Sequence, residues 1–413
     1  MATLTEQRTV TGGVDTHSRV HVAAAIDSNS QQLLGTASFP VTEAGYAALL
    51  DWLAQHGRVE AVGVEGTGTY GAGLARHLAL ADVEVKEVNR PDRASRRLHG
   101  KSDPLDAEAA ARAVVARRAT ALPKSRDGRV EAVRMLRLVY TTAVADRTQA
   151  TNQFHAVVST APEPIREELA GKSLVRQLQQ VRGWRERTSE EVVSRVARTA
   201  LRELATRIQH LKEQATRMDR ALTELTEQVA PALLDIAGIG VHTAAQLMVT
   251  AGDNPERLVS EAGFARLCGV APVPASSGRT TRHRLDRAGD RAANHALWRI
   301  VMARIAHGDP RTLDYLARRT REGMSKREII RCLKRYVARE VFRAITNPPH
   351  PAPTGPQIRD LRAQVGITQL QLSELTGLPN TTISRLERGQ LRRGDLQRRC
   401  HDALTRSLPL AAA

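Results

Sequence analysis

Glu65 constrains this chain more than any other single residue. It closes a strand-like apolar run at residues 59–64. Glycines 66, 68 and 71 follow at once, and then a helix-like run at residues 74–80. A strand that ends on a carboxylate and turns through spaced glycines into a helix belongs to an α/β layer structure. Two chemistries use such a turn. A G-x-G-x-x-G sequence cradles a pyrophosphate when it forms the first βα turn of a dinucleotide fold, and Glu84 and Glu87 lie downstream where a ribose-binding acid would stand. A carboxylate set against the first glycine repels a phosphate, however, and two strand-like segments and a helix precede this turn. In the other reading Glu65 is itself the functional group, and the glycines let the chain turn and a nucleic-acid backbone approach.

The surrounding segments favour that second reading. Residues 12–39 read as a strand pair, "GGVDTHSRVHVAAAID" and "QQLLGTASF", and residues 42–57 as a helix. The strand of Glu65, a helix, the short strand "EVKEV", the basic loop 89–103 and a helix opened by Pro104 complete a β-β-α-β-α-β-α order. Acids stand at the ends of these elements. Asp15 lies in the first strand, Glu65 ends a later one, and Asp103 and Asp106 share one face of a helix start in "KSDPLDAEAAA". This is an RNase H-like arrangement. Clustered carboxylates repel one another unless cations lie among them. Two Mg²⁺ ions roughly 3.5–4 Å apart would neutralise them and clamp both oxygens of a phosphoryl transfer.

Residues 127–229 read as helical throughout. Leu204, Ile208, Leu211, Ala215, Met218, Leu222, Leu225 and Val229 alternate steps of four and three, a coiled-coil seam. A dimer seam and an intramolecular hairpin with residues 130–158 both satisfy it. "LLDIAGIGVHTAAQLMVTAG" then reads as helix, hairpin and helix. Gly238 and Gly240 could present backbone N–H groups to phosphates, or form a plain turn between packed helices.

The net charge of +17 points to a polyanionic partner, and arginine outnumbers lysine, which favours bidentate phosphate contacts. Cys268, Cys332 and Cys400 are too scattered for a disulfide framework or a zinc site. No apolar run reaches the length of a membrane span, and the start "MATLTEQRTV" has no apolar signal core, so a cytoplasmic location and no membrane partner are expected.

Taken together, "GVDTH", "VEGTGTYG", "KSDPLDAEAAARA", "RTQATNQFHAVV", "AGIGVHTAAQLM" and "FARLCGVAPVPASSGRTTRHRLDRAGDRAANHALW" resemble the DEDD transposases of the insertion-sequence family numbered one-ten, which includes Piv-like site-specific invertases. The resemblance covers residues 12–345. It implies an RNase H-like, RuvC-like catalytic domain at 10–122, a helical coiled-coil region at 123–230 and a second transposase domain at 231–346. It also implies that Asp15, Glu65, Asp103 and Asp106 bind Mg²⁺. A catalytic serine in the "SG" motif would be Ser277, with Ser276 as its near alternative, and would attack a DNA phosphodiester. Arg279, Arg282, Arg284 and Arg287 beside it would hold phosphates. The family's sites form between protomers of a tetramer, and a structured bridge RNA chooses donor and target DNA. Rival readings are an RNase H-like nuclease or Holliday-junction resolvase, and a non-catalytic DNA-binding regulator.

Residues 347–356, "NPPHPAPTGP", form a proline-rich linker. The tail at 357–413 resembles a phage-repressor (Xre/Cro-type) helix-turn-helix. Its helices would span 358–365, 369–376 and 380–388, on a small core of Ile367, Leu372, Leu375, Ile383 and Leu386. Gln369, Asn380, Thr381, Thr382 and Arg385 are the expected DNA contacts. This tail lies beyond the usual end of the family.

Overall fold

A computed structural model describes residues 8–88, 102–185, 191–276, 283–286, 288–348, 352–391 and 393–407. It divides into two compact units, residues 1–131 with 250–267, and residues 132–249 with 268–413.

The first unit is built on a five-stranded sheet. Its strands are β1 (Thr9–Thr16), β2 (Val20–Asp27), β3 (Leu33–Pro40), β4 (Arg58–Glu65) and β5 (Glu84–Val88), in the order β3-β2-β1-β4-β5. β1, β2 and β3 are antiparallel, whereas β4 and β5 run parallel to β1. The expected strand pair is therefore three strands. The segment 12–27 is one hydrophobic run in sequence, but it folds back at residues 17–19 so that Thr16 faces His21. The turn contains no glycine, proline or asparagine to mark it.

Helices α1 (Glu43–His56) and α2 (Ala72–Leu80) cover one face of the sheet through Leu49, Leu53, Leu74 and Leu78, which are fully buried with Val14, Val62 and Val64. Helix α3 (Asp103–Val115) covers the other face at unusually close range. A Cβ on Gly13 of β1 would lie 2.2 Å from the Ala107 carbonyl oxygen, and one on Gly63 of β4 would lie 2.8 Å from that of Ala110. Two glycines on the sheet and a run of alanines on the helix let backbone meet backbone.

The second unit is mostly helical. Helix α4 (Arg129–Thr160) starts in the first unit; α5 (Glu163–Leu169), α6 (Leu174–Arg182) and α7 (Val192–Val229) follow it. The sequence reads 127–229 as helical throughout, and the structure forms that stretch from these four helices. The coiled-coil stripe of α7 is covered from within the chain. Leu201, Ala205 and Ile208 pack with Ala150 and Phe154, Leu211 and Ala215 with Ala143, and Leu222 with Val133. The order is that of an antiparallel hairpin, so the seam of a single chain is already occupied by α4.

Beyond it lie α8 (Pro231–Leu234), α9 (Val241–Ala251), a 3₁₀ turn (Pro255–Arg257) and α10 (Glu261–Leu267). The short strands β6 (Pro272–Pro274) and β7 (His283–Leu285) are followed by α11 (Arg291–Ala306), α12 (Pro310–Arg321) and α13 (Lys326–Thr346). The tail comprises α14 (Gly355–Val365), α15 (Gln369–Thr376), α16 (Asn380–Glu387) and α17 (Gly394–Ser407). Capping boxes at Thr354 and Thr368 start the first two of these, and the left-handed glycines Gly366 and Gly377 end them. Its core holds Ile358, Leu372, Ile383 and Leu386, as a repressor-like pattern requires, with Ile367 packed partly buried against it. Leu375 does not join it and is 56% exposed. Cys400, Ala403 and Leu404 of α17 supply the missing apolar surface.

Candidate active site

Strand alternation decides which side chains share a face. Gly13 of β1 faces α3, so Asp15, two residues on, does the same. Gly63 of β4 faces α3, and Glu65 follows it by the same step. β1 and β4 are parallel neighbours in register at Val14 and Val64, so Asp15 and Glu65 end adjacent strands on the same side. Thr16 Oγ1 ties the two ends by donating to the Glu65 carbonyl at 3.0 Å. The close seat of α3 then delivers its N-terminus, with Asp103 and Asp106 in the first turn, to the same edge. A helix N-terminus is a favourable place for both acids.

Within this group the tightest cluster is Asp15, His17 and Asp103, each offering one ligand atom within 4.8 Å of the others. His17 Nε2 lies 3.1 Å from Asp15 Oδ2 and 3.5 Å from Asp103 Oδ1. Among the described residues, Glu65 and Asp106 do not join that set of close atoms. Asp106 is nevertheless 4% exposed and acts on Asp15 through its charge. Burial pushes the Asp15 carboxyl above its usual range. His17 opposes the shift, and Asp106 and Asp103 add to it. A carboxylate that is buried and beside other acids is a poor resting anion, and a divalent cation relieves that strain. Two carboxylates and an imidazole form a donor set that can hold one. His17 escaped the sequence reading, although "DTH" places it two residues after Asp15 and so on the same side of the chain.

The glycine turn after Glu65 works locally. Gly66 adopts φ +58°, and Gly71 donates its N–H back to the Gly66 carbonyl at 3.1 Å. A Cβ at Gly71 would lie 2.7 Å from the Glu65 carbonyl oxygen. The acid that a dinucleotide site would use is engaged elsewhere: Glu87 accepts from Thr67 Oγ1 at 3.0 Å and lies 3.7 Å from Arg257.

In the second unit β6 and β7 pair antiparallel, with Val273 opposite Arg284. Ser277, Arg279, Arg282 and Arg287 lie outside the described residues, as does the basic loop at 90–101. Ser276 and Arg284 are described and exposed.

Three regions of the chain match known families. Residues 12–161 match a family described as "Transposase", and residues 230–317 match the "Transposase IS116/IS110/IS902 family". Residues 358–393 match "Helix-turn-helix". The chain carries the transposase domains of the IS110 family. A curated relative, "Insertion element IS110 uncharacterized 43.6 kDa protein" of Streptomyces coelicolor, is 29% identical over 135 residues, 32% of this chain and 33% of that protein. The chain thus spans about a third of the length of the curated relative it matches. The acid cluster falls in the first transposase match and the β6–β7 pair in the second.

The expected nucleic-acid contacts divide into outward and inward groups. Gly238 has φ +81°, and a Cβ there would lie 2.8 Å from Arg304 Cγ, so its role is close packing against α11. Gly240 is exposed, with its N–H donating to Thr243 Oγ1 at 3.0 Å. The helix before this turn, α8, is a single turn long. In the tail Asn380, Thr381 and Arg385 are exposed and Thr382 is half-buried. Gln369 turns inward, its amide donating to Glu387 Oε2 at 2.6 Å. Buried Glu387 also takes both arms of Arg362, at 2.6 and 3.0 Å. That pairing holds the Arg362 guanidinium above its ordinary range. No helix among the described residues is long and apolar enough to cross a membrane.

Proposed function

We propose that this chain is an insertion-sequence transposase and site-specific recombinase that breaks and rejoins DNA by phosphoryl transfer from an RNase H-like, RuvC-like centre. The observation that carries the reading is the approach of Asp15 and Asp103 to a single point at His17, with Asp106 and Glu65 on the same edge. Asp15, Glu65, Asp103 and Asp106 would hold divalent cations, with Mg²⁺ the best match to carboxylate oxygen. When bound, such ions offset the charge that develops on the phosphoryl oxygens. His17 orients the Asp15 and Asp103 carboxylates toward a common position. The glycines after Glu65 let the chain turn at that edge, so a nucleic-acid backbone can approach.

Ser277 is the nucleophile in this reading. Its Oγ forms a bond to phosphorus while the bond from phosphorus to one sugar oxygen breaks. The hydroxyl proton leaves, the sugar oxygen takes one up, and the phosphoserine retains the ester for rejoining. Arg279, Arg282, Arg284 and Arg287 hold the phosphate. Duplex DNA, a structured guide RNA and further copies of the chain, up to a tetramer, are the partners. The test is covalent trapping of nicked element-end DNA in Mg²⁺. Ser277→Ala should form no adduct while Ser276→Ala still does. The reverse result moves the nucleophile by one residue, and adducts in both variants would end the serine mechanism.

A further inference from the structure

Helices α11, α12 and α13 line an open cavity of about 300 Å³ that no step of the proposed reaction uses. Tyr315 and Tyr336 line it, two of only five tyrosines in a chain with 3% aromatic residues. Their rings meet edge to face at 5.4 Å between centroids. Tyr336 is 45% exposed, with the Arg339 guanidinium 5.7 Å from its ring centroid, so the part of the ring left open can take another ring. Arg311 and Arg318 stand one turn before and one turn after Tyr315 on α12, and both line the same cavity. Arg318 lies over the Tyr315 ring at 5.3 Å.

The charges of the lining sort into two sets. Arg304 and Glu340 form a close pair at 2.6 Å, and Arg304 also donates to the Ala237 carbonyl, so they neutralise one another. Arg311 and Arg318 are exposed; Arg318 lies over Tyr315 and approaches Glu322 at 3.9 Å, and Arg311 acts on Asp309 through its charge, contacts that an exposed guanidinium can exchange for an anion. Residues 310–346 carry eleven Lys and Arg against four Asp and Glu, so the surrounding field attracts anions. Burial, with a hydrogen bond to Cys332, pushes the Tyr315 hydroxyl up.

A flat π-surface flanked by two exposed guanidiniums, in a cavity of this size, matches one base with its phosphate. We propose that the α12–α13 cavity receives a nucleotide of an unpaired nucleic-acid strand, its base stacking on Tyr336 and its phosphate meeting Arg311 and Arg318. This site rests on the nucleic-acid reading of the chain but is separate from the carboxylate centre. A duplex offers no free base face, so the cavity distinguishes unpaired from paired strands.

The test uses the full chain and short oligonucleotides carrying 5-iodouracil, in single-stranded DNA, single-stranded RNA and duplex DNA, with a free nucleoside monophosphate as a fourth probe. Photocrosslinks from a single strand should map to Tyr336 or Tyr315. Tyr336→Ala should weaken single-strand binding by roughly ten-fold with duplex binding unchanged, while Tyr336→Phe, which keeps the ring, should bind as the parent does. Arg311→Ala should lower the salt slope of binding by about one. The DNA and RNA arms show which strand is held more tightly. Equal losses on duplex DNA, crosslinks elsewhere with unchanged affinity, or a free mononucleotide binding as tightly as the oligonucleotides would each overturn the proposal. Asp15→Asn is the control for the other reading: it should leave these affinities intact whether or not the chain cleaves DNA.

Discussion

The two units handle charge in opposite ways. The sheet unit gathers acids at one edge, where Asp15 and Asp106 are buried and are fixed by a strand end and a helix start. The helical unit spreads cations over exposed helix faces, as on α12 and α13, where long side chains have room to move. Rigid convergence suits the holding of reacting atoms, because misplacement by an ångström is costly. Dispersed cations suit the holding of a long polyanion, because the phosphates supply many equivalent contacts. The expected consequence is steep dependence on single residues in the first unit and shallow dependence in the second.

Asp15→Asn tests the steep side hardest. It should lower strand cleavage by at least about 10³-fold, with DNA affinity retained. A cleavage assay on element-end DNA checks this, and parental rates in Mg²⁺ would remove Asp15 from the site. Gly13→Ala comes next. Its methyl would meet backbone atoms of Ala107 and Ala111 that cannot step aside, so a loss of about 3 kcal/mol or more is expected in a denaturant melt. An unchanged melting midpoint would mean that α3 seats further from the sheet.

His21 gives the third effect. It is fully buried, neither ring nitrogen has a partner among the described residues, and it stacks on Tyr46. Burial lowers its pKa to about 4, from an ordinary value of 6.5. The unfolded chain therefore takes up this proton first as pH falls. Stability from this group is full above pH 6.5 and is lost on acidification from 6.5 to 4, by roughly 3 kcal/mol at the limit. His21→Phe should flatten that part of the profile in thermal melts between pH 7 and 4. The smallest effect belongs to the helical unit. Arg284→Ala should weaken DNA binding only a few-fold and reduce the salt slope by about one. A hundred-fold loss would show that a residue of the second unit can be as critical as an acid of the first.

Much of this division is legible in the sequence. Acids at element ends, the glycine turn and the tail's three repressor-like helices stand in order along the chain. What escapes is what depends on approach between distant segments. Gly13 and Gly63 read as ordinary strand glycines until α3 is laid on them. His17 reads as one more residue of a strand-like segment until Asp103 arrives from 86 residues away. The stripe on α7 carries the same periodicity whether α4 or a second chain covers it. Helix α17 has too thin an apolar face to announce itself, and Leu375 has the helical spacing of a core residue while facing solvent.

One contact of the tail has a thermodynamic consequence. Asp235, buried at the end of α8, accepts from the Ala352 N–H at 3.2 Å and lies 3.6 Å from Arg398, while Gly394 packs so closely that a Cβ would fall 2.4 Å from its side chain. Residues 347–354 join the tail to α13, and fully extended they reach at most about 30 Å. A tether this short holds the tail at an effective concentration in the millimolar range. Docking at Asp235 is therefore a unimolecular equilibrium, which even a weak contact can keep closed. Diluting the protein leaves that balance untouched, whereas a ligand on the tail or a change at the Asp235 contact shifts it.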